Sequence, residues 1–411
     1  MKIKLINPGF KNMRTRNFQS QMNRYWFPIL AMPMLSAVTP ERHKVSFTDE
    51  LFKRVDFNES VDLVGITGMT AQINRAYQIA DTYREKGIPV ILGGIHASSL
   101  PEEAKRHADS VVIGEADDIW INVLEDFEQN QLRPFYKKTR EVNLGNLPWP
   151  NRNIYDGIKI PPNGTTNSVQ VSRGCPYNCN FCSVTEFFGH KIRLRPVDCV
   201  IKEVKAINNP MICFVDDNIL PNYKYSKELF TRLIDLNIEW GGQSTINIAE
   251  RDEILKLCAN SGCRSLLIGL ESINHEAIQA MGKNVNKISK YKDYIKKIQD
   301  SGIKVLGSFI FGTDQDDPSV FECTWKFIRD SNLAVPLFNI LTPFPNTEIF
   351  RQMDRDNRIL TYDWSEYTTN TVVFKPKKMT AEQLLEGSGW LYGQQHYSIA
   401  GSVKANSIGW N

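Results

Sequence analysis

The chain has 411 residues, of which 42% are hydrophobic and 23% charged, and it carries a formal net charge of +3. That length admits two domains or one large one, and the balance is ordinary for a folded soluble protein. So small a charge, without a Lys/Arg block, argues against nucleic acid as a partner, and no run of 18 uncharged apolar residues offers a transmembrane segment.

The first residues, Met1-Lys-Ile-Lys-Leu-Ile-Asn7, lack a signal-peptide core, so a cytoplasmic location is expected. In a reducing compartment the eight cysteines are expected to ligate metal or to be buried, not to pair as disulfides. Short apolar strands are predicted at 3–6, 45–47, 63–66, 90–92 and 111–113. Between the third and fourth, Ile73, Ala76, Tyr77, Ala80 and Tyr83 recur at helical spacing up to Gly87. Such alternation implies a Rossmann-like, doubly wound parallel sheet over residues 1–142. Ligands bind such sheets beyond the strand C-termini, here Asn7-Pro-Gly9, Thr67-Gly-Met-Thr70, Gly93-Gly-Ile-His96 and Gly114-Glu-Ala-Asp117. His96 reads as a hydrogen-bonded scaffold residue rather than a metal ligand. A Pro/Asn/Gly-rich stretch at 143–166 reads as a linker.

The second group, residues 167–374, repeats strand then helix six times, with strands expected at 168–172, 211–215, 239–245, 265–270, 303–310 and 335–341. Six units fall short of the eight of a closed barrel, so the expected fold is a partial (β/α)6 barrel. Its mouth would gather the loop at Cys175, then Asp216-Asp-Asn218, Gln243-Ser-Thr245, Glu271-Ser272, Gly312-Thr-Asp314 and Thr342-Pro343. Any one of these polar residues could simply cap the next helix; the set points to chemistry. From 375 to 411 a short helical segment is expected. It would open at the capping box Thr380-Ala-Glu-Gln383 and carry Trp390, Tyr392 and Tyr397 as a packing stripe.

The most specific feature is Cys175-Pro-Tyr-Asn-Cys179-Asn-Phe-Cys182. A four-iron cluster normally takes four thiolates, so a claw of three leaves one iron open to a substrate or cofactor. Structural zinc would want a fourth Cys or His nearby, and only His190 is close in sequence. Cys213 and Cys258 sit in apolar runs and are expected in the core, and Cys258 with Cys263 makes a weak metal argument.

These residues resemble the cobalamin-binding-domain radical S-adenosylmethionine (SAM) enzymes, a group dominated by methyltransferases. In the barrel the resemblance rests on Ser172-Arg-Gly-Cys-Pro-Tyr-Asn-Cys-Asn-Phe-Cys182, Phe214-Val-Asp-Asp-Asn218, Ile268-Gly-Leu-Glu-Ser272 and Leu341-Thr-Pro-Phe-Pro-Asn-Thr347. In the first domain it rests on Val64-Gly-Ile-Thr-Gly-Met-Thr70, Arg75-Ala-Tyr77, Val90-Ile-Leu-Gly-Gly-Ile-His-Ala97, Leu100-Pro-Glu102 and Val112-Ile-Gly-Glu-Ala-Asp117. It implies a cobalamin-binding sheet domain followed by a radical SAM barrel, with a 4Fe–4S cluster, SAM and cobalamin as cofactors.

On that resemblance Cys175, Cys179 and Cys182 hold the cluster and Phe181 lies along the adenine. Asp216, Asp217, Gln243, Glu271 and Ser272 line the SAM site, and Thr67, Met69, Gly93, Gly94 and Glu115 lie at the corrin and its nucleotide tail. The implied activity is C-methylation of an unactivated carbon through a 5'-deoxyadenosyl radical and methylcobalamin. Cyclisation, rearrangement or carbon–carbon coupling is an alternative, and a cluster that serves only as a sensor or electron carrier is another. The substrate would be a small molecule, lipid, tetrapyrrole or peptide, and electrons would come from a flavodoxin- or ferredoxin-type donor. Two departures stand out. The Asp-x-His-x-x-Gly motif that supplies an axial imidazole is missing, since 7–24 holds no histidine. Asn346 stands where the turn motif usually has Gly, and Asn tolerates a left-handed turn.

Overall fold

The computed structural model describes residues 1–11, 29–159, 165–220 and 222–402, with side chains described as far as 395. Two parallel sheets dominate. The first contains β1 (Lys2–Asn7), β2 (Lys44–Asp49), β3 (Leu63–Thr67), β4 (Val90–Gly93), β5 (Ser110–Ile113) and β6 (Phe135–Lys137), in the order 2-1-3-4-5-6. All five pairings are parallel. The order reverses between β1 and β3, which is the switch point where a doubly wound sheet receives ligands. The sixth strand was not anticipated: Phe-Tyr-Lys is too short to show alternation.

The helix Ile73–Glu85 forms because Ile73, Ala76, Tyr77, Ala80 and Tyr83 fall on one buried face. It stops at Gly87, whose φ of +74° suits glycine. One face of the sheet is covered by this helix; the other packs Trp120, Met32 and Val123 from the helices Ala31–Val38 and Trp120–Glu128. Each fully buried large aliphatic side chain contributes roughly 1.5–3 kcal/mol.

The second sheet is an open parallel arc of β7 (Ser168–Val169), β10 (Met211–Phe214), β11 (Glu239–Ser244), β12 (Cys263–Glu271), β13 (Lys304–Phe311) and β14 (Val335–Ile340), in sequence order. It is the expected six-unit partial barrel, with one correction. The strand expected over 168–172 breaks after Val169, and β8 (Ser172–Arg173) instead pairs antiparallel with β9 (Arg193–Leu194).

The stretch expected as a linker is folded where it is described, with 3-10 turns at Leu144–Asn146 and Arg152–Tyr155 and a buried Tyr155; Pro161-Pro-Asn-Gly164 lies outside the described residues. Late in the barrel, Trp364, Tyr367 and Val373 bury themselves in the core of the first sheet, not in their own. Asn346 has φ +66°, the left-handed turn its side chain tolerates.

The capping box closes as expected. Thr380 N–H donates to Gln383 Oε1 (2.8 Å) and Gln383 N–H to Thr380 Oγ1 (3.1 Å), opening the helix Ala381–Ser402. Leu384 and Leu391 are buried against the barrel and Tyr392 donates to the Phe338 carbonyl (2.7 Å), whereas Trp390 is exposed. The side chain of Tyr397 lies outside the described residues. Among the described residues, no helix is long and apolar enough to cross a membrane.

Candidate functional site

The break after β7 has a single cause. Asp216, fully buried just after β10, accepts N–H donors from Val171 (3.0 Å) and Ser172 (2.5 Å) and the Ser172 hydroxyl (2.7 Å). Burial lifts its carboxyl to about 7, against those same hydrogen bonds. Asp216 therefore peels the chain off the barrel edge and aims it toward the cysteines. Expected beside SAM, Asp216 has its oxygens taken up by the strand it holds.

Gly174 follows at φ +92°, where any Cβ would collide with the Lys191 carbonyl. The loop is then pinned from several sides. Cys175 N–H donates to Gly189 O (3.3 Å) and Asn180 N–H to Met281 O (3.1 Å), and Asn180 O accepts from Ile349 (3.0 Å). Cys182 N–H donates to Cys179 O (3.1 Å), and Cys182 caps the helix Ser183–Phe188.

All three thiols are half-buried. Burial pushes Cys179 up to about 12 and Cys182 to about 11 and raises Cys175, while the Tyr177 and Val184 amides, aimed at the sulfurs of Cys175 and Cys182, work the other way. Each lies near enough to another thiol or to Asp217 to feel its charge. Among the described residues no three Cys, His, Asp or Glu side chains converge on one point as a single ion requires. A cubane takes its thiolates at separate corners.

Of the residues around the mouth, several already have partners within the protein. Asn218 bonds Leu220, Ser272 Oγ accepts from Asn274 N–H (3.0 Å), Asp316 accepts from Gly312 and Thr313, and Asp314 pairs with Arg358 and Lys377. Others keep their chemistry free. Among the described residues, Asp217 and Gln243 make no side-chain hydrogen bond to another residue. Burial raises Asp217 to about 6, and its charge is felt by Cys175 and Cys182.

Glu271 sits at a bulge in β12 with φ +63° and forms a buried ion pair with Lys283. Gly269 leaves the space, since a Cβ there would collide with both partners. Burial works against the Lys283 charge, yet Glu271 and the thiols of Cys179 and Cys182 hold its pKa above the ordinary lysine value. Sequence reading missed Lys283; its only signal is a lone Lys after Met281-Gly282. Phe181, half-buried, packs against the barrel core.

At the carboxyl ends of β3, β4 and β5 lies an elongated cavity of about 180 Å³. Gly65, Thr67, Gly93, Gly94 and Gly114 form its sheet side, Met32, Leu35 and Trp120 its apolar wall, and Phe187 and Phe188 its barrel side. Glycines at the strand ends keep it open. Gly94, with φ +92°, also lets the chain pass close to Thr67 Oγ1, which a Cβ would meet at 2.6 Å. Met69, at the tip of the loop after β3, is 53% exposed and is not part of this lining.

Glu115 lines the cavity, but its carboxylate is already engaged. It accepts from Lys138 (2.6 Å), Arg173 (2.7 Å) and Arg193 (3.0 Å), which hold it below the ordinary range despite burial. His96 is fully buried, edge-on to Trp364, with Nε2 3.4 Å from Glu103, whose carboxylate also accepts from Tyr77 and Trp364. It is a scaffold residue.

Comparison with known proteins matches these two halves to two profiles. The B12 binding domain matches residues 37–124 and the Radical SAM superfamily residues 169–322. Two methyltransferases of Chlorobaculum tepidum are similar along most of the chain. The bacteriochlorophyllide d C-8(2)-methyltransferase is 31% identical over 84% of this chain and 80% of its own length; the C-12(1)-methyltransferase is 30% identical over 87% and 80%. The chain belongs to the B12-binding radical SAM enzymes. The solved structure of OxsB, a cobalamin-dependent SAM radical enzyme with aqua-cobalamin bound, has the same fold, with a TM-score of 0.71 at 14% identity over 99% of this chain and 69% of that one.

The residues present fit the family's cofactors. Three thiols with inward amides are the donor set of a cluster with one iron left to SAM. Asp217 and the Lys283 ammonium offer an acceptor and a donor group beside it, and the Gln243 amide at the barrel mouth is, among the described residues, free of side-chain partners. The glycine-floored cavity lies beyond the carboxyl ends of parallel strands, where a doubly wound sheet receives its ligand.

Proposed function

We propose that this B12-binding radical SAM enzyme is a C-methyltransferase acting on an unactivated carbon of a tetrapyrrole. One observation carries the reading: the cysteine claw is bracketed in the chain by residues that line the glycine-floored cavity, Gln170 and Arg173 before it and Phe187 and Phe188, at the end of the helix Ser183–Phe188, after it. Hydrogen abstraction and methyl donation at one carbon need their sources side by side. The cluster with SAM supplies hydrogen abstraction, and cobalamin supplies the methyl group.

The protein's part is to hold, orient and keep dry. Cys175, Cys179 and Cys182 would bind the cluster and Phe181 would lie along the adenine. Asp217 and Gln243 would accept from SAM hydroxyl or amine groups, and Lys283, fixed by Glu271, would face the SAM carboxylate. Thr67, Gly93 and Gly94 would flank the nucleotide tail, with Met69 at the corrin edge. Phe187, Phe188 and Trp120 would exclude water from the cavity. Tetrapyrrole as the substrate class draws on the two bacteriochlorophyllide methyltransferases, each similar over most of the chain. A flavodoxin- or ferredoxin-type protein would supply electrons.

The test is anaerobic incubation of the reconstituted enzyme with SAM, methylcobalamin, a strong reductant and chlorophyllide-type tetrapyrroles, read by mass spectrometry. Added CH₂ in the product, with 5'-deoxyadenosine, supports the reading. Deoxyadenosine with loss of two hydrogens and no added carbon would assign ring closure instead.

A further inference from the structure

The strand that feeds the claw is held by its side chain as well as its backbone. Arg173, two residues before Cys175, spends its guanidinium on the other domain: Nη1 donates to Glu115 Oε1 (2.7 Å) and Asp117 Oδ2 (2.6 Å), and Nη2 to Asp117 Oδ1 (3.0 Å). Its Nε donates to Gln170 Oε1 (2.8 Å). The two carboxylates come from the loop after β5, and Arg173, Glu115 and Asp117 are all buried. Arg193, the strand partner of Arg173, reaches the same Glu115, as does Lys138. Two arginines of the second domain thus share two anions of the first, with Lys138 of the first domain as a third cation.

Glu115, Asp117, Gln170 and Arg173 are also walls of the glycine-floored cavity. Arg173 therefore touches the cavity with its side chain and the claw with its backbone. Between Arg173 and Cys175 stands only Gly174, where a Cβ would collide with the Lys191 carbonyl, and the residue before Arg173, Ser172, is clamped on Asp216. Neither end of this lever yields freely.

We propose that Arg173, latched on Glu115 and Asp117, is a positioning residue that couples the two cofactor pockets: a ligand filling the cavity fixes the latch, and the latch sets the claw. The inference rests on the assignment of the cavity to cobalamin and the claw to the cluster. Coupling of this kind is reciprocal, and between two sites typically spans about 5–150-fold in affinity. Bidentate guanidinium–carboxylate geometry is what lysine cannot reproduce, so Arg173→Lys should behave as a partial loss.

The test titrates hydroxocobalamin by its visible spectrum into full-length protein with and without a reconstituted cluster. Wild type, Arg173→Met, Arg173→Lys and Asp117→Asn are compared. For wild type the cluster should tighten cobalamin about tenfold. That factor should fall to within about twofold in Arg173→Met and be intermediate in the other two variants. The readout is a ratio, which a general loss of affinity leaves unchanged. Asp117→Asn keeps Arg173 on Glu115 and serves if Arg173→Met does not fold. An undiminished factor in the variants, or no factor in wild type that binds both groups, overturns the latch. Wild type that takes up no cobalamin or no iron overturns the pocket assignment instead.

Discussion

The two pockets on either side of the Arg173 wall are built on opposite principles. The claw is a set of particular atoms: three thiols, inward amides, and a strand bent by Asp216. The cavity in the first domain is a set of absent atoms, with glycine at four lining positions on its sheet side and, apart from the Arg173 wall, mostly apolar side chains around them. Donor-set sites fail when one donor is removed; shape sites fail when something is added. The two should therefore be separable by substitution.

The largest effect is expected at the claw. Cys179→Ala should lower SAM cleavage by more than about 100-fold, above the range typical of outer-shell partners of a metal site, while cobalamin binding persists; deoxyadenosine release and a cobalamin titration check both. The converse is Gly93→Leu. A Cβ there meets nothing closer than 3.7 Å, and Gly93 lines the cavity, so a leucine is expected to be tolerated and to fill it. Overpacking of about 1–3 kcal/mol corresponds to a loss of cobalamin affinity up to roughly 100-fold, with iron content and cluster spectrum unchanged. Lys283→Met should weaken SAM binding about tenfold or more, the value of one charged hydrogen bond, with iron retained and partial recovery in Lys283→Arg.

A further effect concerns stability away from both pockets. Asp49 is buried with Oδ2 unpartnered, and burial holds its carboxyl up at about 6 against hydrogen bonds from Leu51 and Asn7. A folded pKa above the ordinary 3.8 means that the folded form binds the proton more tightly. The contribution of Asp49 to stability is then fully present below about pH 4 and is lost as pH rises to about 6, by up to about 3 kcal/mol. Asp49→Asn should remove that decline from the Tm-versus-pH curve.

The same difference decides what could be read from sequence. The claw was legible because its chemistry lies in residue types at fixed spacing, and most of the barrel strands because they are apolar runs between turn signals. The role of Asp216 was not, since an aspartate after a strand looks the same whether it faces a ligand or a neighbouring strand's amides. Lys283 was invisible because its importance comes from a bulge at Glu271 and from the empty space at Gly269. Glu115 was read as part of the cofactor pocket, and it does line the cavity; that its charge is consumed by Arg173, Arg193 and Lys138 depends on packing between domains. Trp364 and Tyr367 were placed with the barrel by sequence order, whereas burial assigns them to the first sheet's core.

The most direct test is electron paramagnetic resonance of the reduced, anaerobically reconstituted protein, recorded before and after addition of SAM. Three thiolates with one iron open predict a four-iron signal whose g-values shift when SAM arrives, and loss of that shift in Cys179→Ala. A signal indifferent to SAM, or protein that holds zinc in place of iron, would contradict the assignment.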